Sequence, residues 1–110
     1  MKLKNLCEKI SLTPLNIDDD RNIDSVYCCD LLSVVMGKAP SDSVWVTVMA
    51  NINAVAVASL AEIGAIVFAD GVKPDQTVLE KARENNINLL LSNDNIFDTA
   101  LKIHEALKND

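Results

Sequence analysis

Val44-Trp45-Val46-Thr47-Val48-Met49 runs into Asn51-Ile52-Asn53, then Ala54 to Ile63, then Ala65-Ile66-Val67-Phe68. The reading of this run decides the fold. Its first part is rich in β-branched residues, which suit a pleated strand. Ala54 to Ile63 alternates Ala and Val, so periodicity alone fits either a strand or a helix. A helix is the better reading, because Ala dominates and Val48 to Leu60 would otherwise be an implausibly long strand. Asn51 or Asn53 stands ready to cap it. Apolar all round, this helix is expected to be buried on more than one face, with Gly64 ending it. The run is long enough to cross a bilayer. Asn51, Asn53 and Glu62 interrupt it, however, and each would be costly in lipid. Strand, helix, strand is expected, and no membrane.

Working outward, the same alternation continues. On the N-terminal side, Leu3, Leu6, Cys7 and Ile10 recur at helical spacing, so residues 2–10 read as a short amphipathic helix that Pro14 stops. Ile17 to Asp24 is a polar turn. Ser25 to Cys29 reads as a strand, followed by a helix that Asp30 caps and Gly37 ends. On the C-terminal side, Ala69 to Pro74 is a turn and Asp75 caps a helix through Asn85. Ile87 to Leu91 is another strand. Ser92, Asn93 or Asp94 caps a last helix with Phe97, Leu101, His104 and Leu107 along one stripe. Alternating strands and helices predict an α/β fold, a three-layer, mostly parallel sheet of about four to five strands with helices on both faces.

Composition agrees. The 110 residues suffice for one domain, expected over 1–110. Apolar residues make up 49%, aromatics only 4%, so the core is aliphatic. A net charge of −6 with scattered Lys and Arg argues against a nucleic-acid partner. Cys7, Cys28 and Cys29 make a poor disulfide framework, and Met1-Lys-Leu-Lys leads into an amphipathic helix rather than an apolar leader. Reduced thiols and a cytoplasmic setting are expected.

Val67-Phe68-Ala69-Asp70-Gly71-Val72-Lys73-Pro74, with Val78-Leu79, Ala82 and Ile87-Asn88-Leu89-Leu90, resembles the second half of a DRTGG domain. Tyr27 to Gly37 and Asn53 to Ala58 resemble the short, stand-alone members of that family. Where the family's name-giving Asp–Arg pair would fall, this chain departs from the pattern with Asn51-Ile52-Asn53, and Ala69-Asp70-Gly71 stands where Thr-Gly-Gly would be, keeping one glycine. The resemblance implies a fold like the N-terminal domain of HPr kinase. It also implies a regulatory or dimerising role beside CBS domains, and a nucleotide as the natural class of ligand.

Ligands of open α/β sheets sit beyond the carboxyl ends of the strands. Asp30, Asn51, Asn53, Asp70, Gly71, Ser92 and Asn93 fall there. They form a candidate pocket for a small polar or phosphorylated molecule, or else they serve only as helix caps. Gly71 is first a backbone residue, suited to positive φ between a strand and a Pro-led helix. Adjacent strand residues face opposite ways, so Cys28 and Cys29 are read as buried, inert thiols rather than metal ligands. His104 is read as a packed or interface residue, and Asp18-Asp19-Asp20 as a solvated acidic turn that fits no EF-hand.

No Gly-rich phosphate loop, GxSxG elbow or HExxH is present. No catalytic residue, metal or cofactor is assigned. The first reading is a non-catalytic regulatory or interaction module acting as a homodimer, with a small ligand as a further possibility. A nucleotide-binding sensor is the second reading, and a minor enzyme the third.

Overall fold

A computed structural model describes all residues, 1–110. The elements run α1 (Leu3–Ile10), β1 (Thr13–Asn16), β2 (Ser25–Cys28), α2 (Leu32–Lys38), β3 (Ser43–Thr47), α3 (Ile52–Leu60), β4 (Ala65–Phe68), α4 (Gln76–Glu84), β5 (Leu89–Leu91) and α5 (Ile96–Lys108). One five-stranded sheet has the order β1-β5-β4-β3-β2. β2, β3, β4 and β5 are parallel, and β1 closes the β5 edge antiparallel.

Alternation along the central strands builds two aliphatic layers. Val44, Val46, Ala65, Val67 and Leu90 point to one face, where α1 and α5 cover them. Trp45, Ile66, Phe68 and Leu89 point to the other, against Val35 of α2, Ala54, Val55 and Ala58 of α3, and Val78 and Ala82 of α4. The run Val44–Phe68 is therefore strand, helix, strand. No helix is long and apolar enough to cross a membrane.

Topology follows from the order of pairing. Each step β2 to β3 to β4 to β5 moves one place in the same direction, so α2, α3 and α4 lie on one face. After β5 the chain turns to the other face, and α5 crosses back over β3 and β2 beside α1. The helices that follow β4 and β5, α4 and α5, therefore lie on opposite faces of the sheet.

Several sequence expectations need correction. Pro14 does not simply end α1; it sits in β1, an edge strand whose missing N–H costs no internal ladder bond. Gly37 lies inside α2, and Gly64 lies past the end of α3. The stops are left-handed residues that are not glycine: Ser11 after α1 (φ 58), Glu62 after α3 (φ 56) and Asn86 after α4 (φ 56). After each, an aliphatic residue donates its N–H back into the helix: Leu12 to Cys7 O at 3.1 Å, Ile63 to Ala58 O at 3.1 Å, Ile87 to Ala82 O at 2.8 Å. These are Schellman closures, and Leu12, Ile63 and Ile87 are buried as the motif requires.

α3 is buried on one face only, through Ala54, Val55, Val57 and Ala58, and it exposes Ile52, Ala56 and Leu60. On α5 the buried side is Thr99, Ile103 and Ala106, whereas Phe97, Leu101 and His104 face solvent. The expected stripe exists, but it is turned outward. His104 is not packed. Cys7 is buried as expected, while Cys28 is exposed and Cys29 half-buried.

Candidate functional site

The connections that leave β4 and β5 go to opposite faces, the kind of place at which open α/β sheets hold ligands. Phe68 ends β4 and is followed by Ala69, then by two left-handed residues, Asp70 (φ 56) and Gly71 (φ 68). Asp70 therefore keeps the backbone that a glycine would adopt freely, because a short polar side chain tolerates this region. A Cβ on Gly71 would lie 3.6 Å from Asn93 Oδ1, an ordinary contact, so the need for glycine there is conformational and not steric.

The two loops are stitched together. The Asp70 N–H donates to Asp94 O at 2.8 Å, and the Gly71 N–H to Ser92 O at 3.0 Å. Ser92 is buried; its hydroxyl shares a 2.7 Å hydrogen bond with Thr99 and accepts from the Asp94 N–H at 3.2 Å. Lys102 reaches Asp94 Oδ2 at 2.6 Å. This hydrogen bond, with the charge of Asp94, holds the ammonium above the ordinary lysine range. Beside them is a hollow of about 160 Å³ lined by Ser11, Leu12, Ser92, Asn93, Asp94 and Lys102, among others. Small-molecule pockets are usually ~300 Å³ or more, so the hollow has room for part of a ligand, not a whole nucleotide.

Asp30, Asn51 and Asn53 lie further along the same edge, after β2 and β3. Asp30 does not cap α2, whose N-cap is Leu31 with no side-chain bond. Its Oδ1 accepts instead from Thr47 Oγ1 at 2.6 Å and from the Val48 N–H at 3.1 Å, bracing the end of β3. Asn51 caps α3 by accepting from the Ala54 N–H at 3.1 Å, which leaves Asn53 exposed in the first turn. Likewise α5 is capped by Asn95, which accepts from the Asp98 N–H at 2.7 Å, and not by Ser92, Asn93 or Asp94. The seven candidates thus divide. Asp30, Asn51 and Ser92 are committed to protein partners, Gly71 serves the turn, and the side chains of Asn53, Asp70 and Asn93 are exposed without a protein hydrogen bond.

Sequence reasoning missed two buried hydroxyls that organise this edge, Thr47 and Thr99. A Thr amid Val in a strand reads as strand filling, so nothing in the pattern marked it. It also missed the largest hollow, about 570 Å³ between α1 and β1, lined by Lys4, Cys7, Glu8 and Leu15 among others. That hollow depends on β1, which Pro14 had hidden. Burial, with Asp20 adding to it, pushes the Cys7 thiol up to about 11, and burial and Asp30 push Cys28 up as well. Neither is an activated nucleophile.

Among solved structures, the chain is similar to the CBS and DRTGG domains of the regulatory region of Clostridium perfringens pyrophosphatase, complexed with its activator diadenosine tetraphosphate. The TM-score is 0.76 at 16% identity over 93% of this chain, a likeness of fold. The chain spans 45% of the length of that regulatory-region chain. No curated protein matches. The parallel with HPr kinase rests on sequence resemblance alone. The family model of the DRTGG domain matches residues 19–106, from the acidic turn to the last helix and so including every strand-end residue above; the chain belongs to the DRTGG domain family.

Proposed function

We propose that this single DRTGG domain is a non-catalytic regulatory module that acts as a homodimer. The observation that carries the reading is the outward apolar stripe of α5, where Phe97 is 70% and Leu101 41% exposed one turn apart. Adjoining exposed apolar side chains are the material from which an association surface is built. The fold-level likeness to a pyrophosphatase regulatory region agrees with a regulatory role. A non-catalytic reading follows from the side chains available. His104 is exposed with no partner, the Thr47 hydroxyl is buried and used in both directions, and the thiols of Cys7 and Cys28 are pushed towards the protonated form. Reduced, free thiols suit a cytoplasmic setting.

A second function, binding of a small nucleotide-like ligand, is favoured by the departure of α4 and α5 to opposite faces after β4 and β5 and by the activator in the similar structure. The edge carries Asp30, Asp70 and Asp94 against Lys102, so phosphate needs neutralising, and a divalent cation is expected to assist. Thermal melting with adenine nucleotides and diadenosine tetraphosphate, with and without Mg²⁺, tests it. A rise in Tm that Asn53→Ala or Asp70→Ala removes supports ligand sensing; no rise with any of them in the intact protein ends it. Light scattering at tens of micromolar tests the homodimer, and a monomer throughout contradicts it.

A further inference from the structure

β2 is an open edge. Ser25–Cys28 pairs with β3 on one side, and none of the backbone bonds outside that pairing involves these four residues. An edge of this kind offers unpaired N–H and C=O groups to another strand. The opposite edge is protected: β1 contains Pro14 and its register shifts between Pro14 and Asn16. β2 has neither proline, bulge nor charge.

The elements beside this edge carry four of the six exposed large apolar side chains, the other two, Ile52 and Leu60, being on α3. A groove of about 380 Å³ between β2 and α5 is lined by Asp24, Ser25, Val26, His104, Leu107 and Lys108, which identifies the side of α5 that faces the edge. At about 100° per residue, Phe97, Leu101, His104 and Lys108 fall within roughly 60° of one another on that side. On the other face α2 is the outermost helix of the row α4-α3-α2, and it leaves Leu31 61% and Met36 41% exposed.

We propose that β2 pairs antiparallel with β2 of a second copy of this chain, extending the sheet to ten strands, with the two α5 stripes packed across the two-fold axis. This rests on the homodimer reading and names its surface. A second copy fits better than a foreign strand for two reasons. An antiparallel pair of identical edges lets the same unpaired groups satisfy one another. The same rotation sets the two α5 helices antiparallel, so that each outward stripe meets its own copy. A foreign peptide would cover β2 and leave the stripe bare.

Light scattering and amide hydrogen exchange on the full chain test this. The wild type is expected to be dimeric at tens of micromolar, with β2 amides exchanging about tenfold more slowly than after dilution to monomer, and β1 amides unchanged. Leu101→Glu, on an exposed face, is expected to weaken dimerisation about tenfold or more while circular dichroism stays native. A dimer that ignores Leu101→Glu, with β2 exchange indifferent to dilution, overturns the edge assignment and leaves the homodimer standing. Dilution-sensitive protection of β1 instead of β2 does the same. A monomer at every concentration overturns both. The exchange measurement on wild type decides even if Leu101→Glu fails to fold.

Discussion

The carboxamide of Asn88 grips the backbone of Asp19 from both sides, donating through Nδ2 to its carbonyl at 2.7 Å and accepting its N–H at Oδ1 at 3.2 Å. The same side chain accepts from the Asp18 N–H at 2.9 Å and donates to Gly64 O at 2.9 Å. Asn88 is almost fully buried, so each of these bonds answers a desolvation cost. The acidic turn is thus a docked segment.

Asn88→Ala is expected to destabilise the fold by about 2–4 kcal/mol, because it strands backbone groups of residues 18, 19 and 64 together. Urea denaturation measures this. A loss under about 0.5 kcal/mol would contradict the role given to Asn88.

The helix stops make an opposite pair of expectations. Glu62→Gly relieves a left-handed residue and should stabilise by about 0.5–1 kcal/mol, since the Schellman closure stays intact. Gly64→Ala should destabilise by about 1–3 kcal/mol, because its Cβ would lie 2.5 Å from Ile23 Cδ1 and 3.2 Å from Ser43 O. Equal melting temperatures for the two variants would contradict both assignments.

At the strand ends, structural and free residues should separate. Asp30→Ala removes the acceptor of Thr47 Oγ1 and the Val48 N–H, and should cost about 1–3 kcal/mol. Asn93→Ala alters an exposed side chain with no protein partner and should stay within about 0.5 kcal/mol. Similar losses for both would erase the division drawn among the candidates.

The thiols predict a pH effect. The folded pKa of Cys7, about 11, lies above the ordinary thiol value of 9.0 that the unfolded chain should show. The folded state therefore keeps a proton that the unfolded state gives up. This contribution to stability is whole below pH 9 and is lost as pH rises towards 11. The fall in urea midpoint between pH 8 and pH 10.5 should be smaller in Cys7→Ala than in wild type. At pH 8 a maleimide should modify Cys28 first and Cys7 only on unfolding.

The three-layer sheet was legible because Val44–Trp45–Val46 and Ala65–Phe68 are apolar on both sides, as strands covered on two faces must be. Asp75 is legible as a cap because a polar acceptor precedes a helical run, whereas Asn51 is legible only as one of two candidates with Asn53. What misled was punctuation. Glycine and proline suggest stops, yet the chain turns at Ser11-Leu12, Glu62-Ile63 and Asn86-Ile87, where the signal is a polar residue followed by a buried aliphatic one. The direction of the α5 stripe was hidden because Phe97–Leu101 and Ile96–Thr99–Ile103 are both at helical spacing. Only the sheet beneath decides which one is buried. Asp30 and Ser92 were rightly placed at strand ends, but their partners Thr47 and Thr99 are distant in sequence and carry no local mark.

Self-association is the claim on which the functional account turns, and sedimentation equilibrium tests it most directly. At tens of micromolar the account predicts a particle of twice the 12.0 kDa chain mass, shifting towards 12.0 kDa on dilution. A single 12.0 kDa species at every concentration would contradict it.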